Sequence, residues 1–389
     1  MTRGVPLPPL SAAESAHASR VRAALIAKIR TSGGWIAFSD FMRFALYEPG
    51  LGYYSAGARK FGPQGDFITA PELTPLYAAC VARQAREIFQ RCDGRAILEF
   101  GAGSGALAVD LVRYLADAGI EIERYSIVEV SADLRERQQE RVRRELGARA
   151  ERIEWLDRLP AQPLRGLMIA NEVLDALPVE RFRKADGRVE RLGVALNGSE
   201  FALVGRPADA ELAVAVNSLP IHGPELYESE ICSLLPAWIA SATQTLAAGV
   251  LLVMDYGLPR RQYYHPDRRQ GSLLCHYRHR SHADALARIG LQDITAWVDF
   301  TALAEAASAA QLDVLGFATQ AHFLMSADLE TLLAAQLEPA GAERAATLQA
   351  VSRLLLPGEM GEAFKVMALG RGVSEPLEGF RLRDLRHTL

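Results

Sequence analysis

The sequence has few cysteines, no excess of positive charge and no long hydrophobic run, and each absence excludes a class of protein. The four cysteines in 389 residues are scattered without a C-x-x-C pair, so we expect free thiols rather than disulfides or a redox dithiol. A formal net charge of -4 provides no basic surface for a phosphate backbone, so nucleic acid is not an expected partner. The longest apolar runs fall far short of the roughly twenty residues of a membrane span, so no membrane partner is expected.

The first residues also lack the apolar h-region of a secretory signal peptide. Together with the free thiols, this predicts a cytoplasmic protein. A mitochondrial transit peptide is the alternative, because Arg3, Arg20 and Arg22 stand among several serines and alanines. Glu14 interrupts that pattern, since transit peptides are poor in acidic residues.

Alternating strand and helix patterns occupy most of the chain. Predicted strands are 96–100, 125–130, 152–156, 166–170, 250–255, 312–318 and 363–370, and predicted helices include 18–31, 74–91, 107–118, 132–146 and 301–310. Alternation of this kind implies an α/β fold with a parallel, doubly wound sheet. The length exceeds that of a usual single core, so we expect one large domain with insertions or two closely joined domains.

Composition divides this pattern into regions. The expected regions are a helical and lid region at 1–93, a core at 94–371 with insertions at about 181–235 and 327–355, and a tail at 372–389. Turn signals at Asp186-Gly187 and Asn197-Gly198, flanked by alternating apolar residues, predict hairpins in the first insertion. The stretch 47–75 is dense in glycine, proline and aromatic residues, so we expect it to close over the site and exclude water.

A glycine loop, Gly101-Ala102-Gly103-Ser104-Gly105, stands where a predicted apolar strand meets a predicted helix. Glycines at such a junction allow the backbone to approach a ligand closely, which implies a nucleoside-bearing cofactor. The pattern Gly101-x-Gly103-x-x-Ala106 also satisfies the dinucleotide fingerprint, so the glycines alone leave the cofactor open. A glycine turn with a purely structural role is the third interpretation.

Acidic residues near the loop favour S-adenosyl-L-methionine over a nicotinamide dinucleotide. Glu99 precedes the first glycine by two positions, where methyltransferases use an acid to place the methionine ammonium. Glu129 ends the second strand and is expected to hydrogen-bond the ribose hydroxyls. Asp157, after the third strand, is a candidate adenine contact, with a helix N-cap as the alternative.

The candidate catalytic residues lie in Asn171-Glu172-Val173-Leu174-Asp175-Ala176-Leu177-Pro178, after the fourth strand. This loop falls at the carboxyl edge of the sheet, where open α/β sheets bind ligands. It lacks the Asn/Asp-Pro-Pro-aromatic motif that clamps a flipped base, whereas its carboxylates suit a guanidinium. Glu172 is the first candidate for holding the acceptor and taking its proton, and Asp175 is the second. Capping and loop stabilisation by Asn171 and Asp175 is the alternative.

Three histidines, His276, His279 and His282, repeat at every third position and raise the possibility of a zinc site. Arginines interleave with them and would repel a cation. The run is more typical of a polar wall or a solvated face, so no metal is expected.

Across about residues 25–371, the chain resembles the MidA-like methyltransferases, relatives of the mitochondrial arginine methyltransferase that assists assembly of respiratory complex I. The motifs that carry this resemblance are Phe41-Met42, Tyr47-x-Pro49-x-x-Gly52-Tyr53-Tyr54, Gly65-Asp66-Phe67-Ile68-Thr69-Ala70-Pro71-Glu72, the glycine loop, Asn171-Glu172-x-x-Asp175-Ala176-Leu177-Pro178, Gln292-Asp293-Ile294-Thr295 and Val298-Asp299-Phe300. Ser272 and Trp297 depart from the expected Thr and His, and neither touches the cofactor motifs.

The resemblance implies a class I fold, a Rossmann-like seven-stranded sheet with an antiparallel last strand. It also implies methylation of an arginine on a protein acceptor, such as a respiratory-complex subunit. The expected cofactor-binding residues are Glu99, Gly101, Ala102, Gly103, Gly105, Glu129, Asp157, Asn171 and Thr69. Two alternative functions stay open, a non-catalytic assembly factor that binds S-adenosyl-L-methionine and an NAD(P)-dependent oxidoreductase. The oligomeric state is also open, with a homodimer as one expectation.

Overall fold

The computed structural model describes residues 7–56, 68–336, 341–373 and 376–389. Its helices are α1 (Ala12–Thr31), α2 (Phe38–Tyr47), α3 (Ala70–Leu73), α4 (Leu76–Cys92), α5 (Ala106–Asp117), α6 (Ala132–Leu146), α7 (Ala210–Asn217), α8 (Leu235–Thr243), α9 (Arg260–Tyr263), α10 (Phe300–Ala309), α11 (Gln320–Ser326), α12 (Leu329–Gln336), α13 (Ala342–Leu355) and α14 (Met360–Ala363). Its strands are β1 (Trp35–Ala37), β2 (Ala96–Phe100), β3 (Arg124–Val128), β4 (Ile153–Leu156), β5 (Leu164–Asn171), β6 (Glu180–Ala185), β7 (Arg188–Asn197), β8 (Glu200–Pro207), β9 (Tyr227–Ile231), β10 (Leu246–Leu258), β11 (Leu274–Tyr277), β12 (Arg280–His282), β13 (Asp293–Thr295), β14 (Val298–Asp299), β15 (Asp313–Thr319) and β16 (Phe364–Arg371).

The chain divides into two compact units. Unit 1 comprises residues up to 67, 175–235 and 259–297, and unit 2 comprises 68–174, 236–258 and 298–389. Residues 68–93 therefore belong with the glycine loop in unit 2, because α4 packs against α5 and β5. The first insertion belongs with α1 and α2 in unit 1. As functional domains, the boundaries 1–93, 94–371 and 372–389 stay a prediction.

Unit 2 is built on a mostly parallel sheet. Within the described residues, its strand order is β15-β16-β10-β5-β2-β3-β4, and β14 adds a short pairing to the end of β10. β16 runs antiparallel to both β10 and β15, whereas the other neighbours along β10-β5-β2-β3-β4 are parallel. This arrangement confirms the class I sheet with an antiparallel last strand.

The apolar runs of these strands explain why the sheet is covered by helices on both faces. Every residue of β2 is buried, and β10 is buried from Gly249 to Asp255. Strands buried on both faces read as continuous apolar runs rather than as alternating patterns. Because its apolar run is continuous, β2 has the same bounds as the strand predicted at 96–100. Helix α6 has the same bounds as the helix predicted at 132–146, because its apolar residues recur at helical spacing.

Unit 1 carries two antiparallel sheets. The larger has the order β1-β7-β6-β9 with β8 on the other edge of β7, and the smaller has the order β12-β11-β13. Both predicted hairpins are confirmed, since β6 and β7 meet at Asp186-Gly187 and β7 and β8 meet after Asn197. Asp186 and Gly187 both have positive φ, which is the backbone that a two-residue hairpin turn requires.

Helix α1 begins six residues before its predicted start at residue 18. Ser11 is the N-cap, and Ser11 and Glu14 form a capping box in which each side chain bonds the other residue's backbone N–H. The Ser-x-x-Glu signal was present in the sequence and sets the true start.

Parts of three predicted regions lie outside the described residues. In the helical and lid region these are residues 1–6, with Arg3, and 57–67, with Gly65-Asp66-Phe67; in the second insertion they are 337–340, and in the tail 374–375. In the part of the chain that the structure describes, no helix is both long enough and apolar enough to cross a membrane.

Candidate functional site

The glycine loop connects β2 to α5 in unit 2, at the carboxyl end of a central strand. Gly101, Gly103 and Gly105 have φ of +60°, +56° and +78°, a region that side chains rarely adopt. A Cβ built on Gly101 would have Val173 Cγ2, at 3.6 Å, as its nearest neighbour. The space over this peptide is therefore open, and a ligand can approach the backbone there.

The rest of the loop is fixed from within unit 2. Ala102 is buried, and its carbonyl accepts a 2.7 Å bond from Gly105 N–H, which closes the turn before α5. Ser104 Oγ accepts a 3.0 Å bond from Arg141. Thr69, half-buried, is the residue before α3, a short helix that packs against α5.

Glu99 lies beneath the loop as a buried acid. Its Oε2 accepts a 2.8 Å hydrogen bond from the hydroxyl of Tyr125 on the neighbouring strand β3. Burial raises the pKa of Glu99 to about 7, and the charge of Glu129 adds to that rise while the Tyr125 bond opposes it. A carboxyl group in this state becomes ionised when a cation binds beside it.

Glu129 is also buried, and donors from Ser131 and Gln138 orient its carboxylate. Ser131 N–H bonds Oε1 at 2.8 Å, and the Gln138 amide bonds Oε2 at 3.0 Å. Gln138 also donates to the Gly103 carbonyl at 2.9 Å and accepts from the Trp155 indole at 2.9 Å. The Gln138 amide therefore joins Glu129, the acid that follows β3, to the glycine loop.

Asp157 follows β4 and is well exposed, with its carboxylate ion-paired to Arg135. Residues 157–163 form no helix. The alternative that Asp157 caps a helix is therefore wrong.

Asn171 ends β5, Glu172 follows it, and the two form a partly buried polar network with Tyr77 of α4. The Tyr77 hydroxyl donates a 2.7 Å bond to Asn171 Oδ1, and Asn171 Nδ2 lies 3.4 Å from Glu172 Oε1. The pKa of Tyr77 is raised well above its ordinary value by burial and then by the charge of Glu172. Glu172 has a φ of +54°, and its N–H donates to Met254 O at 2.9 Å, so the turn is anchored to β10.

The loop after Glu172 is held by Asp255 of β10. Its two carboxylate oxygens accept 2.9 Å bonds from Leu174 N–H and Tyr256 N–H. No helix begins within residues 171–179, so the helix-capping alternative is wrong for Asn171. Stabilisation of the loop by the Asn171 amide agrees with the observed bonds.

Asp175 opens the segment of unit 1 that follows this loop and is buried. Its carbonyl accepts a 2.9 Å bond from Ala296 N–H. In the same unit, the Tyr54 hydroxyl donates to both oxygens of Asp293, at 3.0 and 3.1 Å. Burial raises the pKa of Tyr54 well above its ordinary value, and the charges of Asp293 and Asp175 act in the same direction.

The histidine run forms the β11–β12 hairpin of unit 1, with His279 in its turn. Burial lowers the pKa of His276 to about 4, and the nearby His282 contributes. Among the described residues, no group of three or more His, Cys, Asp and Glu side chains is arranged to hold a metal ion.

Three residues at this site were missed by sequence reasoning. They are Tyr77, Gln138 and Val130, the last a valine 79% exposed directly after Glu129. Single exposed apolar side chains are common on protein surfaces, so the interest of Val130 rests on its position directly after Glu129. The sequence shows Val130 next to Glu129, but it does not show that one side chain is exposed and the other buried.

The donor set fits a cofactor that joins a nucleoside to a cationic amine. The open backbone over Gly101 admits its centre, the Glu99 carboxyl group suits the ammonium, and Glu129 presents acceptors for hydroxyl groups. S-adenosyl-L-methionine has these parts in one molecule.

Comparison with known proteins agrees with this chemistry. Residues 80–318 match a family model for S-adenosyl-L-methionine-dependent methyltransferases. A Burkholderia thailandensis protein, solved with bound S-adenosyl-homocysteine, is 40% identical with a TM-score of 0.94, over 99% of this chain and 100% of that one. The rat protein arginine methyltransferase NDUFAF7, mitochondrial, is 27% identical over 92% of this chain and 86% of its own. Its Drosophila melanogaster homologue is 26% identical over 93% and 87%.

These findings decide between the cofactors left open by the glycine pattern. The cofactor is S-adenosyl-L-methionine, and the alternative of an NAD(P)-dependent oxidoreductase is wrong. The prediction of a cytoplasmic location has no support from these relatives, because both are named as mitochondrial proteins. By its sequence and its fold, the chain belongs to the S-adenosyl-L-methionine-dependent methyltransferase family.

Proposed function

We propose that this methyltransferase modifies an arginine side chain on a protein acceptor. The observation that carries the proposal is the Glu172 carboxylate at the carboxyl end of β5, in a turn anchored by Asn171, Tyr77 and β10. A carboxylate there suits a guanidinium, because the pair forms charge-assisted, bidentate bonds. The rat and Drosophila relatives are named protein arginine methyltransferases, which supports the same acceptor class.

A guanidinium needs such a residue because it stays protonated, with a pKa above about 12, and its nitrogen lone pairs are delocalised. When bound, S-adenosyl-L-methionine would supply an electrophilic methyl group, and its sulfonium would become the neutral thioether of S-adenosyl-homocysteine as the sulfur–methyl bond breaks. Glu172 holds the guanidinium, orients one nitrogen, and accepts the proton that this nitrogen loses as its bond to the methyl carbon forms. Asp175 is the second candidate for that proton.

The cofactor assignments are part of the same proposal. Gly101, Ala102, Gly103 and Gly105 present backbone to the cofactor, Glu99 pairs with the methionine ammonium, and Glu129 binds the ribose hydroxyls. Val130 packs on the adenine face. Thr69, Asp157 and Asn171 complete the binding set.

The test replaces the Glu172 carboxylate with an amide. Glu172→Gln keeps the size of the side chain and is expected to bind S-adenosyl-L-methionine almost normally, yet to transfer methyl groups on the order of a hundredfold more slowly. Glu121→Gln is a matched control, since that carboxylate is exposed and pairs only weakly with Arg152, at 3.6 Å.

The acceptor comes from a tritiated-methyl labelling screen of lysate that lacks the native enzyme, followed by identification of the labelled residue. Labelled arginine on a protein supports the proposal, whereas label on another residue overturns the acceptor class. If Glu172→Gln and Asp175→Asn both transfer at the normal rate, the loop has only a structural role. No labelled product from any acceptor is what a non-catalytic assembly factor predicts.

A further inference from the structure

The Gln138 side chain of α6 is fully buried and contacts three separate parts of unit 2. Its Nε2 donates to the Gly103 carbonyl at 2.9 Å and to Glu129 Oε2 at 3.0 Å. Its Oε1 accepts from Trp155 Nε1 at 2.9 Å. One amide therefore links the glycine loop, the end of β3 and β4.

The chemistry of the partners fixes the orientation of this amide. An indole N–H only donates, and a carbonyl or an ionised carboxylate only accepts, so the Gln138 oxygen must face Trp155. Both Nε2 hydrogens then point to Gly103 and Glu129. Every strong hydrogen-bonding group of the amide is used in this one orientation, which leaves no alternative flip of comparable energy.

We propose that Gln138 is a positioning residue for the cofactor. It holds the Glu129 carboxylate in one orientation, with its own amide fixed by Trp155 and the Gly103 carbonyl, so that the ribose acceptor is set before the cofactor arrives. Ser131 N–H holds only the other oxygen of Glu129. This inference rests on the proposed contact between Glu129 and the ribose hydroxyls.

Positioning through Glu129 makes a specific demand on the ligand. Loss of Gln138 must weaken the binding of a ligand with ribose hydroxyls far more than the binding of one without them. A residue that only supports the fold would weaken both ligands equally, since both use the same glycine loop. The comparison of two ligands therefore separates positioning from structural support.

The experiment measures binding by titration calorimetry on the full chain, with S-adenosyl-homocysteine and its 2′,3′-dideoxy analogue. Gln138→Met keeps the length of the side chain and removes the amide. We expect S-adenosyl-homocysteine to bind roughly tenfold more weakly, the scale of one hydrogen bond to a charged group, and the dideoxy analogue to change less than about twofold. Gln139→Met is the matched control, because Gln139 is adjacent on α6 and only half-buried.

Two further variants keep the result interpretable. Trp155→Phe leaves Gln138 in place but removes the donor that orients it, and it is expected to show the same ligand selectivity at smaller size. If Gln138→Met does not fold, Trp155→Phe alone tests whether Gln138 positions the cofactor. Glu129→Gln tests the proposed ribose contact itself.

The outcomes separate the two proposals. If Glu129→Gln weakens both ligands equally, the ribose role of Glu129 is wrong. If Glu129→Gln is selective but Gln138→Met and Trp155→Phe bind both ligands like the wild type, or weaken both equally, Gln138 is not a positioning residue. Selective loss in all three variants supports the inference.

Discussion

The Tyr125 hydroxyl donates a 2.8 Å hydrogen bond to Glu99, and both side chains are buried on adjacent strands beneath the glycine loop. Burial raises the pKa of Glu99, this bond lowers it, and the charge of Glu129 raises it again, with a result of about 7. The protonation state of Glu99 is therefore set by its neighbours to change near neutral pH. Binding of a cationic amine beside it favours the ionised form.

Cofactor affinity should therefore rise with pH. Below a pKa of about 7, Glu99 must lose a proton to pair with the methionine ammonium, so the dissociation constant is expected to fall by up to roughly tenfold per pH unit between about pH 5.5 and pH 7. Calorimetry in buffers of different ionisation enthalpy should show proton release on binding. Glu99→Gln should remove both effects, and proton release that persists in this variant would assign it to another group.

The same pKa predicts the opposite trend for stability without cofactor. Because the folded-state pKa of about 7 lies above the ordinary value of 4.5, the contribution of Glu99 is fully present below about pH 4.5 and is lost as pH rises through 7. The melting temperature of Glu99→Gln should lack this component. Equal pH dependence in the two proteins would contradict the buried, protonatable state of Glu99.

Gly101→Ala should fold but lose the cofactor. Its backbone, at φ +60°, costs an L-residue about 1 kcal/mol, yet its Cβ meets only Val173 at 3.6 Å within the protein. The added methyl group instead occupies space that we assign to the cofactor. Thermal melting should show a slightly lower midpoint and no stabilisation by S-adenosyl-L-methionine.

Gly119→Ala is the control, since Gly119 follows α5 with φ +73° and open space around its Cβ position. It carries the same backbone cost but should keep the full stabilisation by cofactor. If Gly101→Ala is also stabilised normally, the cofactor lies elsewhere.

The contrast between Glu99 and Gln138 shows how far sequence reasoning reaches. Glu99, the glycine loop and Glu129 could be found because each lies at the end of a strand, and the apolar runs of parallel strands are visible in the sequence. Gln138 and Tyr77 are ordinary helix residues by pattern. Their roles depend on which side chains the fold brings near them, as with Trp155 and Asn171.

The division into units escaped the sequence for a related reason. A hairpin insertion can be located from turn residues such as Asp186-Gly187, because turn geometry is local. Which core it joins depends on packing between distant segments. Unit 1 brings Phe38, Val194 and Ile294 into one cluster from three separate parts of the chain, and no local pattern contains that information.

Tyr77→Phe should impair methyl transfer more than it weakens cofactor binding. The change removes the donor to Asn171 Oδ1, which is only partly buried, so the lost hydrogen bond costs about 1 kcal/mol of stability. Freed from this bond, Asn171 and Glu172 lose their fixed geometry, so kcat should fall more than the cofactor dissociation constant rises. Tyr114→Phe is the control, because Tyr114 lies on α5 and its hydroxyl accepts a hydrogen bond from the Gln336 amide, away from Asn171. Unchanged kcat in Tyr77→Phe would limit Tyr77 to a structural role.

Removal of the C-terminal segment 376–389 should cause self-association. Within the described residues β15 is one of the two edge strands of the unit 2 sheet, with β4 at the other edge. The C-terminal segment covers β15, because Leu385 N–H donates to Phe317 O at 2.6 Å and the Arg386 guanidinium donates to Val314 O at 3.0 Å. Uncovered, the edge offers backbone groups to another chain. Sedimentation should show association that increases with concentration, beyond that of the full chain.

The control Phe380→Ala separates exposure of the strand edge from a general loss of stability. It removes a buried ring packed on Phe323, which costs about 3 to 5 kcal/mol, but it keeps the backbone that covers β15. Phe380→Ala should therefore melt earlier without associating, and a truncated chain with the oligomeric state of the full one would show that the segment does not protect the edge.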